Sequence, residues 1–478
     1  MTNGSRVTRR QFGKAVATAA AVTVLPRYVL GGARFVAPSA RVNIAIVGCG
    51  GQGRSNARSL FGQKDARIIA VADPCEQADY SRFYYKGVAG RLPVKGEVEK
   101  RYAEENPRLG CKDYVDFRKM LDTEKAIDAL LCATPDHWHA FVTMTAIKRG
   151  KHVYCEKPLT HNIYEARMIA KATKQAGVAT QMGNQGRSTT SHRLTCEWIW
   201  SGAIGPVTEV HVWSGTGGWA TGRGRPKETP PVPNGLDWDL WLGPRPSRPY
   251  HSAYAPYNWR GWWSFGTGAI GDMMVHNVDP AFAALGLHER HPSTVECLKT
   301  EFVDTEVVSP NSHVVWRFDA KGNQPALAVH WYDGNRRPER PAELEPDRRV
   351  GGGGNGILIV GRKATIMGGG WSKSPRIIPE TKMKQYLHAS KGKQPRRTIR
   401  KSNGHHRDWL DACKGGQPAL SEFGYGARLI EFILLGDVAI RAKQKIEWDG
   451  RNMTVKNIPE AQQFVQEAYA KGWDLAKV

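Results

Sequence analysis

The chain has 478 residues, 41 % of them hydrophobic, with 16 Trp; 68 Lys and Arg stand against 45 Asp and Glu, a net charge of +23. This composition excludes a disordered or fibrous chain, and the length predicts two domains. Beyond the N-terminal region no run is long and apolar enough to span a bilayer, so no stable membrane insertion is expected after processing. No nucleic-acid-binding motif accompanies the positive charge.

In chain order, the first feature is TRRQFGK followed by AVATAAAVTVL (Thr8 to Leu25). Its basic flank, short apolar core and following small residues read as a cleaved signal. Thr8-Arg9-Arg10-x-Phe12-x-Lys14 is similar to the bacterial twin-arginine signal, which carries folded proteins. Residues 1–40 are therefore expected to be a signal peptide and the protein to be periplasmic. From Arg41 strands and helices alternate. RVNIAIVG, ARIIAVADP, AIDALLCATP, KHVYCEKP and VATQMGNQ read as strands. GRSNARSL, DHWHAFVTMTAIKRG and YEARMIAKATKQAG read as helices between them. That alternation predicts an α/β doubly wound parallel sheet over 41–185.

After Gln185 the pattern changes. A Pro-, Gly- and Trp-rich stretch, Gly215 to Gly268, interrupts a series of period-two runs: GPVTEVHVWS, VECLKTEFVD, NSHVVWRFDA, QPALAVHWYDG and GILIVGRKATIMGG. A second α/β domain over 186–460, with a large, mostly antiparallel open sheet, is the expectation. HRDWLDACKG and FGYGARLIEFILLGDVAIRAK, near 405–443, read as helices that pack back on the first domain. The basic stretch Lys382 to Lys401 reads as a solvated loop. Eight scattered cysteines without C-x-x-C predict thiols, and no metal-ligand spacing is present, so no metal is expected.

GCGGQG (Gly48, Gly50, Gly51, Gln52, Gly53) fits G-x-G-x-x-G between a strand and a helix, and Asp73 ends the next strand twenty residues on. Such a turn lets backbone approach a pyrophosphate at a helix N-terminus, while the acid accepts from the adenosine ribose hydroxyls. A carboxylate there repels a 2′-phosphate, favouring NAD over NADP. ATPDHWHA brings Thr134 and Pro135 to another strand end, with Asp136 as a helix cap and His137 and His139 either facing the crevice or lying on the helix surface. VYCEKP brings Glu156 and Lys157 to the same crevice, where an ammonium can donate to a substrate hydroxyl. GDMMVH places Asp272 and His276 at i and i+4, a carboxylate beside a general base if the segment is helical. Asn184, Gln185 and Arg187 lie at the hinge, and Tyr257, Trp259 and Arg260 precede Asp272. Their aromatic faces and planar polar groups suit a sugar ring.

With GCGGQG, TPDHWH, EKP and DMMVH in this order, the chain resembles the Gfo/Idh/MocA oxidoreductase family. The resemblance implies an N-terminal Rossmann domain, a C-terminal sheet domain and homo-oligomers formed through that sheet. It implies substrates that are sugars, polyols or glycosides. Lys157 would hold the substrate hydroxyl, His276 take its proton and Asp272 assist, with hydride passing to nicotinamide C4. Gly51, Gln52, Thr134, Pro135, His139 and Glu156 would join the cofactor site. Export with NAD implies a tightly bound cofactor. Three functions follow: an NAD-dependent dehydrogenase, a redox-neutral glycoside-cleaving enzyme acting through a transient 3-keto sugar, and a non-catalytic sugar- or nucleotide-binding protein.

Overall fold

A computed structural model describes residues 40–106, 109–219, 222–393 and 395–478; the signal-like segment lies outside them. The first half is built on strands β1 (Val42–Val47), β2 (Ala66–Ala72), β3 (Lys112–Tyr114), β4 (Ala129–Cys132), β5 (His152–Cys155) and β6 (Thr180–Met182). They pair in the order β3–β2–β1–β4–β5–β6, every pair parallel. β4 is buried at all four positions, as expected of a strand covered on both faces. Helices α1 (Gly51–Leu60), α2 (Arg91–Ala103), α3 (Phe117–Thr123), α4 (Asp136–Lys148) and α5 (Ile163–Ala176) make the crossovers. The Asn162–Glu165 capping box starts α5, and Gly177 in the left-handed region ends it. The strand order reverses between β1 and β4, so their carboxyl ends open a crevice at Gly48 and Thr134.

The second half opens with α6 (Thr190–Trp200), a helix the sequence reading missed, capped by the Thr189 hydroxyl accepting the His192 N–H. Strands β7 (Val207–Ser214), β8 (Thr294–Thr300), β9 (Ser312–Phe318), β10 (Leu327–Tyr332), β11 (Asn355–Gly361), β12 (Thr365–Gly369) and β13 (Arg376–Ile378) follow. Helices α7 (Glu380–Ala389), α8 (His405–Cys413) and α9 (Phe423–Ala442) precede β14 (Ile446–Asp449) and β15 (Thr454–Val455). The nine strands run β13–β12–β11–β7–β10–β9–β8–β14–β15, antiparallel except where β7 meets β10. GILIVGRKATIMGG is not one strand but a hairpin, turning where the Gly361 N–H reaches the Ala364 carbonyl. The basic stretch is also corrected: its start is helical in α7, which buries no residue and so left no apolar signature.

α9 is buried almost all round, as its uniform apolarity requires. It packs against α5 of the first sheet and against β8 and β9 of the second, and its Phe432 carbonyl accepts the Trp316 indole N–H at 2.7 Å. Trp409 and Leu410 of α8 share a core cluster with Ile44, Ile68 and Leu131 of the parallel sheet. No helix among the described residues is long and apolar enough to cross a membrane.

Candidate active site

The glycine turn is built as its sequence demands. Gly48 sits at φ 87°, and a Cβ there would lie 2.5 Å from the Ala133–Thr134 backbone. A Cβ on Gly53 would strike the Gly48 carbonyl oxygen; Gly53 therefore supports the turn without lining the cavity beside it. Asp73 accepts the Cys49 N–H at 2.6 Å and the Cys75 N–H at 2.8 Å, and burial pushes its carboxyl up to about 6 despite those bonds. A cavity of about 390 Å³ runs from Gly48, Gly50, Gly51, Gln52 and Asp73 past Thr134 and Pro135 to Glu156 and Lys157. Tyr257, Trp259 and Arg260 also line it. The backbone cradle, the uncapped start of α1 and the acid beyond it fit a dinucleotide. Glu156 is pressed against this start: one of its oxygens accepts from Gln52 and Asn56, each at 2.9 Å, and from Gln185 at 3.3 Å.

Next to Glu156 in the chain, the ammonium of Lys157 meets Asp272 Oδ1 at 2.5 Å and donates to the Asp272 carbonyl at 3.0 Å. Arg260 Nε lies 3.6 Å from the same carboxylate oxygen, its guanidinium stacked over Tyr257 and Trp259. Burial works against the Asp272 charge, but Lys157 and Arg260 outweigh it and hold the carboxyl at about 2. His276 is buried, and burial together with the Lys157 charge pushes its imidazole well below the usual range, with Asp272 opposing. Its Nδ1 has no partner among the described residues, and its ring packs 5.2 Å from Trp371. The segment is not a regular α-helix: Ile270–Met274 is a π turn that runs into an α turn at Val275–Asn277. Such insertions recur at functional sites.

Several expected roles change. His276 does not line the cavity that Lys157 lines. Asp136 does not cap α4; Oδ2 accepts the Thr267 N–H and hydroxyl, and burial pushes the carboxyl up to about 7. His137 is a core residue between the Trp241 and Phe265 carbonyls, not a surface one. His139 does not line the cavity either; its ring nitrogens face the carbonyls of Thr134, at 2.9 Å, and Pro158, at 2.5 Å, joining the two loops that do. Asn184 and Arg187 are turned inward to Asp279, each at 3.1 Å, and Arg187 also stacks on Tyr425. Gln185 serves Tyr154 and Glu156. The hinge residues thus hold the domains' junction, because Asp279 needs cationic and amide partners when buried.

The sequence reading missed Tyr80 and Tyr85. They sit in a segment that leaves β2 and folds back over the glycine turn, tied by Tyr80 N–H to the Gly87 carbonyl and Gly90 N–H to the Cys49 carbonyl. The Tyr85 hydroxyl donates to Gln52 at 3.2 Å, and the Tyr80 hydroxyl would lie 2.7 Å from a Cβ on Gly50. Phe83 stacks on Tyr257 from the other half of the chain. The aromatic density of DYSRFYY was the available signal.

Comparison with known proteins places this geometry. Residues 42–184 match the oxidoreductase family model with an NAD-binding Rossmann fold, and residues 198–333 match the C-terminal α/β domain of the same family. The chain belongs to the Gfo/Idh/MocA oxidoreductase family. Among curated family relatives, 1,5-anhydro-D-fructose reductase of Ensifer adhaerens is 26 % identical over 196 residues, 40 % of this chain and 47 % of that protein. Inositol 2-dehydrogenase of Rubrobacter xylanophilus is 30 % identical over 177 residues, 37 % of this chain and 44 % of that protein. The chain thus spans under half the length of these relatives. The WlbA dehydrogenase from Bordetella pertussis, solved with NADH and UDP-GlcNAcA, aligns over 86 % of this chain and 99 % of its own at 16 % identity and TM-score 0.55. GenD2, solved with NAD, aligns over 89 % and 100 % at 16 % identity and TM-score 0.55. At these identities the two structures establish the Gfo/Idh/MocA fold.

Proposed function

We propose that this family member is an NAD-dependent oxidoreductase acting on a hydroxyl of a sugar, polyol or glycoside. The observation that carries the reading is the Lys157–Asp272–Arg260 cluster, whose Lys157 and Arg260 line the same cavity as the glycine turn. The names of the sugar- and polyol-acting relatives support the substrate class. When bound, the nicotinamide supplies the hydride acceptor. Lys157, kept in place by Asp272, donates to the reacting oxygen and stabilises its alkoxide character. His276, neutral and with Nδ1 unpaired but outside the cavity that Lys157 lines, would accept the hydroxyl proton only from a substrate that opens a path to it. Arg260, Tyr257 and Trp259 offer a stacked polar wall to a pyranose. Thr134, Pro135, Gln52 and Glu156 line the cofactor end, and Asp73 favours NAD over NADP.

A second reading is favoured by the Tyr80–Tyr85 segment over the glycine turn, which supports a cofactor that does not exchange freely. With NAD retained, transient oxidation of a ring hydroxyl acidifies the neighbouring C–H, elimination releases the aglycone, and water and hydride return. Export by the twin-arginine route to the periplasm fits this reading, as does a homo-oligomer joined through the C-terminal sheet. The test is to purify the full chain, look for bound nicotinamide by absorbance, and screen free sugars, polyols and aryl glycosides while following NADH and phenol together. NADH accumulation supports the dehydrogenase. Phenol release without NADH supports retained-cofactor cleavage. Binding without turnover, unaltered by Lys157→Ala, leaves only a binding protein and refutes both.

A further inference from the structure

The nine-stranded sheet carries a cluster of imidazoles that the catalytic site does not use. On β7, Glu209 and His211 are two residues apart and share a face. β10 runs parallel beside it with His330 directly opposite His211, their rings stacked 4.8 Å apart. His211 Nε2 lies 3.1 Å from Glu209 Oε2, and on the next strand His313 Nε2 lies 3.2 Å from His330 Nδ1. Glu209 is exposed and the three histidines are half-buried, so the cluster meets solvent.

We propose that Glu209, His211 and His330 bind a divalent transition-metal ion of the zinc, nickel or copper type. One donor atom from each lies within 4.8 Å of the other two, a span that side-chain rotation of about 1 Å closes to the separation of donors around a common ion with bonds near 2.1 Å. Two imidazoles and a carboxylate suit these borderline metals rather than calcium or magnesium. The Tyr332 hydroxyl, 3.2 Å from His211 Nδ1, orients that ring from behind, as outer partners of metal-bound histidines do. A second cluster, the buried Cys132, His139 and Cys155, is less suited, because both His139 nitrogens already face carbonyls. No ligand spacing in the chain announces the sheet site: Glu209 and His330 are far apart in sequence and meet only through the β7–β10 pairing. A bound ion would clamp the single parallel junction of this sheet.

The test uses the full chain stripped with EDTA and titrated with Zn²⁺ by calorimetry, then with Co²⁺ by visible absorption. One saturable ion per chain is expected. His211→Gln and His330→Gln should each weaken binding at least about tenfold, whereas His388→Gln, on the exposed α7, should leave it unchanged. If either histidine variant fails to fold, Glu209→Gln decides the matter by the same readout. Absence of saturable binding, or unchanged affinity in the folded variants, overturns the proposal.

Discussion

On the proposal that Asp73 favours NAD over NADP, replacing it with Asn should remove that preference while retaining side-chain shape. Asp73 is half-buried just after β2, with both oxygens held by backbone N–H groups of the flanking turns. A 2′-phosphate brought to about 5 Å from this carboxylate costs roughly 3 kcal/mol per unit charge at an effective dielectric of about 20, or about a hundredfold in relative affinity. Burial holds the carboxyl at about 6, so the sign of the pH dependence follows. The charge is present above about pH 6 and lost below it, and the penalty on NADPH shrinks as pH falls from 7.5 to 5. Fluorescence titration of the stripped protein with NADH and NADPH across that range measures the ratio of dissociation constants. Asp73→Asn should give a ratio near one at every pH, and thermal melting would register the one backbone bond it loses. A ratio independent of pH in the parent protein, or unaltered by Asp73→Asn, would refute the assignment.

Lys157→Met removes the ammonium facing Asp272 and should lower turnover by about 10²–10⁴ with NADH affinity preserved, as single-turnover hydride transfer would show. Burial and the Lys157 charge keep His276 neutral, so kcat should show no protonation step near pH 6.5; a tenfold loss per pH unit below 6.5 would count against the depressed imidazole. Glu467 is half-buried among Arg245 at 2.8 Å, His161 at 3.3 Å and Arg441. Burial opposes its charge, yet these partners hold the carboxyl well below its usual range. Glu467→Gln would leave buried Arg245 without its carboxylate and should cost about 3–5 kcal/mol in denaturant unfolding.

The sequence carried what depends on near neighbours along the chain. An apolar run such as NIAIV reads as a buried strand because both its faces need cover. Gly48 is legible because its positive φ and the close approach of the Ala133–Thr134 backbone leave no room for a side chain. The placement of Lys157 at a strand end follows from the same local pattern. α6 and α7 were harder to see, because the first begins where the loop residues of the hinge end and the second buries nothing.

Tertiary structure decided which groups meet. Lys157 and Asp272 are brought to 2.5 Å by the docking of the π turn against the end of β5. Arg187, an apparent sugar-binding residue in GNQGR, is drawn instead to buried Asp279, whose charge needs compensation wherever the fold places it. Tyr85 covers the glycine turn, and His330 faces His211, only because a loop path and a strand register put them there. Short-range pattern fixes backbone conformation through sterics and apolar periodicity. The polar partnerships of the site arise from contacts between segments distant along the chain, which local pattern leaves open.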